Sequence, residues 1–299
     1  MISLIIPSYN RPRQLAKCLE SVARLEYPRE QFEAIVVDDG GEAVLDAVVS
    51  SVSSRLDITL LRQAHAGPAA ARNTGAAKAR GQLLAFLDDD CLPATDWLQS
   101  LEKRLAAMPT HGIGGRTLNA LPDNPYSSTC QMLVDYLYQY YNADQNRATF
   151  FASNNLALPS EGFHAIGGFD ANYSHAGGED RELCDRWWRH GYRMIYAPEA
   201  LVYHAHALTL RTFWTQQFNY GRGAFRFRCA HSQVNDKRIE LEPIRFYLNL
   251  LGFPSSQTRG RQAILLSALT LASQLANGAG FFWESISRGR RLQRQAFAI

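Results

Sequence analysis

Cysteine is scarce and shows no pairing pattern: the five residues, at positions 18, 91, 130, 184 and 229, are odd in number, widely separated and without a Cys-x-x-Cys step. This speaks against a disulfide framework or a cysteine-built zinc site and fits a reducing, cytoplasmic setting. The chain also lacks the Gly-x-Gly-x-x-Gly turn of dinucleotide-binding domains and the glycine-rich Gly-Lys-[Ser/Thr] loop of P-loop proteins. A dehydrogenase or a P-loop kinase is therefore disfavoured. The opening segment, Met1 to Pro7, has no basic flank and too short an apolar run for a signal peptide, and it reads as a first β-strand. Acidic residues are thin towards the end: residues 211–299 hold 13 Lys+Arg and 4 Asp+Glu, a balance of +9 against −6 for residues 1–210. A basic tail behind an acidic body points to an anionic partner. No nucleic-acid motif accompanies it, so an anionic membrane surface is expected rather than nucleic acid.

What is present is an ordinary globular composition, 299 residues with 46% hydrophobic and 20% charged, enough for one large domain and an appendage. Apolar β-rich runs at Ser3–Ile6, Ala34–Val37, Ile58–Leu61 and Leu83–Leu87 alternate with helical patterns near 12–25, 42–54 and 68–80. This βαβ rhythm predicts a mainly parallel sheet buried on both faces, with ligands bound beyond the carboxyl ends of its strands. The polar residues collect at those ends. The first strand runs into Pro7-Ser8-Tyr9-Asn10-Arg11, the second into Asp38-Asp39-Gly40-Gly41, and the fourth into Asp88-Asp89-Asp90.

Three consecutive carboxylates at a strand end are costly unless a cation neutralises them. Mg²⁺ and Mn²⁺ take oxygen ligands and are commonly held by one or two carboxylates plus substrate phosphates, so a metal-bridged diphosphate is the first expectation. The neighbouring loops suit a nucleotide: Tyr9 can stack on a base, Asp38 and Asp39 can accept from base N–H or ribose hydroxyls, and Arg72 can meet phosphate. Singly, each has a plainer role: packing for Tyr9, a turn for Asp38, a surface charge for Arg72. Their joint position at strand ends favours a binding site.

With these residues in view, the chain resembles the family 2 glycosyltransferases. The resemblance spans roughly residues 1–225 and rests on six ordered segments: Ser3 to Asn10, Ile35 to Gly40, Gly67 to Gly75, the acidic triplet, Gly167-Gly168-Phe169-Asp170 and Gly177-Gly178-Glu179-Asp180. It implies a GT-A fold, a mixed but mainly parallel nucleotide-sugar-binding α/β sheet flanked by helices, with a helical C-terminal extension over 226–299. It implies inverting transfer from a nucleotide sugar, with a UDP-sugar the expected donor, to a hydroxyl of a glycan, lipid-linked or glycoconjugate acceptor. The resemblance further makes Asp88, Asp90 and His204 the ligands of Mg²⁺ or Mn²⁺, with His206 in reserve and Asp89 in the variable middle of the acidic motif. It places Pro7, Tyr9 and Arg11 at the base, Asp38 and then Asp39 at the nucleoside, Arg72 and Asn73 in a loop that sets conformation and contacts nucleotide, and Arg222 at the diphosphate. Asp180, next to Glu179, matches the carboxylate that takes the acceptor's proton. The spacing of Leu183, Trp187 and Trp188 puts Asp180 in the first turn of a helix, where ionised carboxylates are favoured.

Acceptor recognition is expected from the less regular stretch 110–176, which carries Tyr126, Tyr136, Tyr138, Tyr140, Tyr141, Asn154, Asn155 and Tyr173. Tyr136 and Tyr140 also have the i, i+4 spacing of a packing face. Ala263 to Trp283 is uncharged and long enough to span a bilayer, but it includes Ser267, Thr270, Ser273, Gln274 and Asn277. Arginines flank it on both sides, at 259 and 261 and at 288, 290, 291 and 294, so an interfacial helix fits better than a single span. The alternatives are a helical hairpin packed on the catalytic domain for the tail and, for the whole chain, a nucleotidyltransferase or a non-catalytic sugar-binding protein. The protein is thus expected in the cytoplasm, or peripheral on the cytoplasmic face of a membrane.

Overall fold

The computed structural model describes residues 1–173, 176–235 and 240–296, with side chains described except at 233–235 and after Arg288. In chain order the elements are β1 (Ile2–Ser8), α1 (Pro12–Val22), β2 (Phe32–Asp38), α2 (Asp46–Ser50), β3 (Ile58–Arg62), α3 (Pro68–Lys78) and β4 (Leu83–Phe86). They continue with β5 (Cys91–Pro93), α4 (Trp97–Ala107), β6 (Gly112–Asn119), α5 (Pro125–Tyr141), β7 (Leu156–Pro159), α6 (Ser160–Ala165), α7 (Glu179–Arg189) and β8 (Met194–His204). The last three are α8 (Leu210–Asn235), α9 (Ile244–Gln257) and α10 (Gly260–Ala296). They form two compact units, one of Met1–Leu121, Leu137–Ser174 and Asp180–His206, the other of Pro122–Tyr136, His175–Glu179 and Ala207–Ile299.

The first unit is built on an eight-stranded sheet in the order β3-β2-β1-β4-β7-β6-β8-β5. β1 to β4 are mutually parallel, β7 runs antiparallel to β4 and β6, β6 and β8 are parallel, and β5 closes the edge antiparallel to β8. The apolar runs sit where the sequence predicts, because residues such as Leu4, Ile6, Ala34 and Val36 have helices to meet on that face, and Ile35 and Val37 meet Ala71 on the other. Prolines open α1 and α3, where a missing N–H costs nothing. Pro7 is tolerated inside β1 because pairing with β4 has already ended at Ile5. Gly75 lets α3 lie on the sheet, since a Cβ there would come within 2.6 Å of Ile5 Cγ2. The helical pattern over 42–54 shortens to α2 because Asn10 Oδ1 accepts from the amides of Glu42 and Ala43, holding that stretch as a loop.

Glu33 is a carboxylate buried near the start of β2. Its oxygens accept from Ser3 Oγ at 2.6 Å and from Arg80 N and Nε at 2.7 and 2.9 Å. Burial works to raise its pKa, but these hydrogen bonds outweigh it and hold the carboxyl below the ordinary glutamate value. The folded value is thus below the unfolded one, and the stabilisation is present above the ordinary glutamate pKa and lost as pH falls through the folded value. Glu33→Gln is expected to destabilise by roughly 1–3 kcal/mol near neutrality, with the gap to wild type closing below about pH 4. Urea titrations at the two pH values check it.

The stretch 110–176 is more regular than its sequence suggests, because β6 and β7 are interior strands. A bulge between Gly115 and Arg116 interrupts the β6–β8 ladder, and Asn155 Nδ2 donates to the carbonyls of Arg116 and Ala200 there, at 3.0 and 2.9 Å. Trp97 Nε1 donates to Asn155 Oδ1. Asn155 is therefore a structural bolt, and Tyr138, Asn154 and Tyr173 are also buried. These four residues of the stretch expected to meet an acceptor thus lie within the packed interior.

In the second unit α8 passes unbroken through residue 225 and packs against α10. The expected boundary at 225 falls inside a helix, and the segment that begins at Ala207 belongs with the C-terminal helices. The α8–α10 crossing is close: a Cβ on Gly221 would lie 1.8 Å from the Asn277 carbonyl, and one on Gly280 1.9 Å from that of Phe218. Tyr136, at the inner end of this unit's part of α5, donates to the Phe246 carbonyl of α9.

Candidate active site

The carboxyl ends of β1, β2 and β4 meet because those strands are parallel neighbours, and β8 reaches the same place from the far side. The register that sets Cys91 opposite His204 brings His204 Nε2 to 3.1 Å from Asp90 Oδ1, and the Ala205 amide donates to the Asp90 carbonyl at 2.8 Å. Arg11 Nη1 lies 3.2 Å from Asp89 and 3.0 Å from Asp90. Arg72, buried against the Phe169 ring, donates to Asp88 Oδ1 at 2.7 Å. The triplet is thus split among three cations.

Their environments separate the three acids. Asp89 is buried, and burial pushes its carboxyl up to about 6 against the pull of Arg11, with Ser8 Oγ donating to it at 2.8 Å. Burial would raise Asp90 too, but its hydrogen bond to His204 and the charges of His204 and Arg11 outweigh that and hold it well below the usual carboxylate range. For His204 burial lowers the pKa, yet Asp90 prevails and the imidazolium is favoured. Stacked on it with centroids 4.8 Å apart, His206 is lowered to about 4 by burial and by the charge of His204, and is neutral at pH 7. Asp88 is the most open of the three, its side chain 30% exposed.

These residues fit a divalent cation. Asp90, Cys91 and His204 present ligand atoms all within 4.8 Å of one another, and a carboxylate with an imidazole is a donor set that Mn²⁺ accepts. Burial raises the Cys91 thiol far above its ordinary value, which leaves it a protonated S–H and a poor ligand. Asp88, the further ligand expected from the sequence, is half-buried, and its carboxylate accepts from Arg72.

The residues expected at the nucleoside are engaged within the protein to different degrees. Asp39 is consumed by its own loop: Oδ1 accepts from Gln63 Nε2 and Ala66 N, Oδ2 from Gly67 N, and His65 Nδ1 lies 2.9 Å from Oδ2. Asp38 has a lighter engagement, accepting from Gly41 N at 3.0 Å. His65, which the sequence gives no reason to single out, stacks on the half-exposed Tyr9 at 4.2 Å. Arg11, expected beside the base, turns instead onto Asp89 and Asp90 because their charge draws it. Asn73 sets conformation: its side chain bonds both ways with the Phe169 backbone, donating at 2.8 Å and accepting at 2.9 Å.

Asp180 stands in the first turn of α7, as the helical spacing predicts, and its Oδ1 accepts from Arg181 N at 2.8 Å. Arg181 in turn lies over the Tyr141 ring and donates to its hydroxyl. Glu179, taken with Asp180 as an acid pair, is buried and accepts from Gly177 N at 2.6 Å, which fastens the glycine turn. Arg222, expected at the diphosphate, is held within the second unit by Glu284, Nε to Oε2 at 2.9 Å.

A parallel half-sheet with acids at its carboxyl ends, continued through the antiparallel β7 to the parallel pair β6 and β8, the latter ending in a histidine at the same place, is the GT-A arrangement. The chain belongs to glycosyl transferase family 2, whose family model matches residues 3–169, and the model for the N-terminal domain of galactosyltransferase matches residues 137–207. Among its relatives is the validoxylamine A glucosyltransferase of Streptomyces hygroscopicus subsp. jinggangensis (strain 5008). It is 30% identical over 228 residues, covering 67% of this chain and 54% of that protein. The chain spans about half the length of that curated relative. Among solved structures, the mannosyltransferase PcManGT from Pyrobaculum calidifontis, in complex with GDP-Man and Mn²⁺, superposes with a TM-score of 0.64 at 19% identity, covering 92% of this chain and 86% of that one. S. aureus TarS 1–349 in complex with UDP-GlcNAc gives a TM-score of 0.55 at 15% identity, with 96% and 91% covered.

Proposed function

We propose that the protein transfers a sugar from a nucleoside diphosphate sugar to an acceptor hydroxyl with inversion at the anomeric carbon. The observation that carries this reading is the gathering of Tyr9, Asp38, the acidic triplet and His204 at one end of the sheet. A base would rest on the Tyr9–His65 shelf with Asp38 at its edge. Asp180 takes the proton of the acceptor hydroxyl while that oxygen attacks the anomeric carbon. The bond from that carbon to the diphosphate oxygen breaks, and nucleoside diphosphate leaves. A divalent cation, Mg²⁺ or Mn²⁺, on Asp88, Asp90 and His204 would supply positive charge against the departing diphosphate. Asn73 and Asp39 keep the loops in place, so the open carboxylates need not reorganise during the reaction.

The glucosyltransferase relative and the neighbours solved with GDP-Man and UDP-GlcNAc support a nucleotide sugar as donor while differing in its base. A UDP-sugar is proposed first, with a glycan, lipid-linked or glycoconjugate hydroxyl as acceptor. The test incubates the purified protein with individual UDP-, GDP- and dTDP-sugars and Mn²⁺ or Mg²⁺. Metal-dependent release of nucleoside diphosphate from one donor is the expected result. Release of pyrophosphate from a nucleoside triphosphate supplied with a sugar phosphate would point to a nucleotidyltransferase, and absence of metal-dependent donor binding would remove the reading altogether.

A further inference from the structure

Helix α10 is inside out. Between Ala263 and Arg288 its exposed residues are Ile264, Leu265, Ala268, Leu271, Leu275, Ala279, Phe282, Trp283 and Ile286, every one apolar. The residues it buries are mostly polar or glycine: Thr270, Ser273, Gly280 and Glu284, with Leu266 and Ala276. Thr270 and Ser273 donate to carbonyls within the helix, and Glu284, the helix's one acidic residue, is taken up by Arg222 and Arg226 of α8. A helix on the surface of a water-soluble domain normally turns its apolar stripe inward. Here the inward face is satisfied by α8, and the apolar face has the size and continuity of an interaction surface.

The pattern of that face selects its partner. Ile264, Leu271, Leu275, Phe282 and Ile286 follow one another at steps of 7, 4, 7 and 4 residues, which makes one straight stripe along the helix. At 1.5 Å per residue it runs for about 33 Å. Arg259 and Arg261, both exposed, stand at its start and Arg288 at its end, with no acidic side chain facing outward between them. The further arginines 290, 291 and 294 have side chains outside the described residues. By length and composition Gly260–Arg288 could cross a bilayer. Yet its other face is committed to α8, which carries Arg222, Arg226 and Arg228, and positive charge stands at both of its ends.

We infer that α10 lies in the plane of an anionic membrane surface, with the Ile264-to-Ile286 stripe among the acyl chains and the arginines at both ends on head groups. Partition then has an apolar and an electrostatic part. Neither part depends on the transferase reading.

The full chain is floated with vesicles of phosphatidylcholine alone or mixed with phosphatidylglycerol. Binding to the mixed vesicles is expected, and the variant Leu271→Glu/Leu275→Glu/Phe282→Glu is expected to stay in the soluble fraction with its circular dichroism and donor turnover retained. Replacing Arg259, Arg261 and Arg288 by Gln should lower partition to the mixed vesicles roughly fivefold per arginine. A measurement on folded wild type guards against a misfolded variant. Brominated lipids should quench the fluorescence contributed by Trp283, judged against Trp283→Phe, and bromines near the head-group end should quench most. Absence of binding to either vesicle overturns the inference. So does a stable dimer in solution that the glutamate variant makes monomeric, since a second copy would then cover the stripe. Strongest quenching from mid-bilayer bromines would also overturn it, in favour of a span.

Discussion

Asp180→Asn is expected to lower the turnover number by roughly 10²–10⁴-fold while donor and metal binding stay near wild type. The carboxamide keeps the shape and can still accept from the Arg181 amide, so α7 should start in the same place. It cannot take up a proton at working pH. Glu179, the adjacent acid, is buried and its carboxylate holds the Gly177 amide. Single-turnover kinetics alongside donor binding check the prediction. An Asp180→Asn protein that transfers at the wild-type rate would remove Asp180 from the mechanism and leave the fold assignment untouched. Glu179→Gln serves as the comparison and should act through stability more than through turnover.

The second large effect is expected at Asp90. Asp90→Asn should weaken Mn²⁺ binding by at least about 100-fold, since altering even a supporting partner of a metal ligand costs up to that much. Metal-dependent turnover should fall with it. The carboxylate also neutralises Arg11 and His204, at 3.0 and 3.1 Å, so a loss of roughly 1–3 kcal/mol in stability should accompany the change. His204→Ala separates the two consequences, because it removes the imidazole ligand and leaves the Asp90 charge with Arg11. Titration calorimetry with Mn²⁺ and a thermal melt on each variant read them independently. Unchanged Mn²⁺ affinity in both variants would move the cation site away from this end of the sheet.

The parallel half of the sheet was legible in the sequence because its strands are short apolar runs separated by helices. Both faces of β1, β2 and β4 are buried, and local pattern and tertiary demand agree. The other half was not. β5 is three residues long, β6 opens Gly-Ile-Gly-Gly and β7 ends in proline, so none carries a strand's usual composition. Their places are set by pairing with distant strands, and that information does not reside in any one segment. The site followed the same divide. The acids at strand ends were readable as acids, but that Asp39 and Glu179 are spent on backbone amides depends on loop paths that no spacing encodes. His65 became visible only through its ring contact with Tyr9. In the tail, Thr270, Ser273 and Asn277 argued against an embedded helix only while their direction was unknown, and α8 turns out to occupy that side.

The loop after β1 gives four consecutive residues four separate engagements. Ser8 donates to Asp89, Tyr9 stacks on His65, Asn10 accepts from two amides of the following crossover, and Arg11 bridges Asp89 and Asp90. Asn10 does so at φ 56°, a left-handed conformation that asparagine tolerates better than most residues. A conservative replacement at one of these positions costs one engagement. Inserting or deleting a single residue shifts every client by one place, and base shelf, crossover and acidic cluster all lose their partners together. The spacing of this segment is therefore held more tightly than its chemistry, and a homologue that alters the loop by one residue should need a different way to assemble both ends of the donor site.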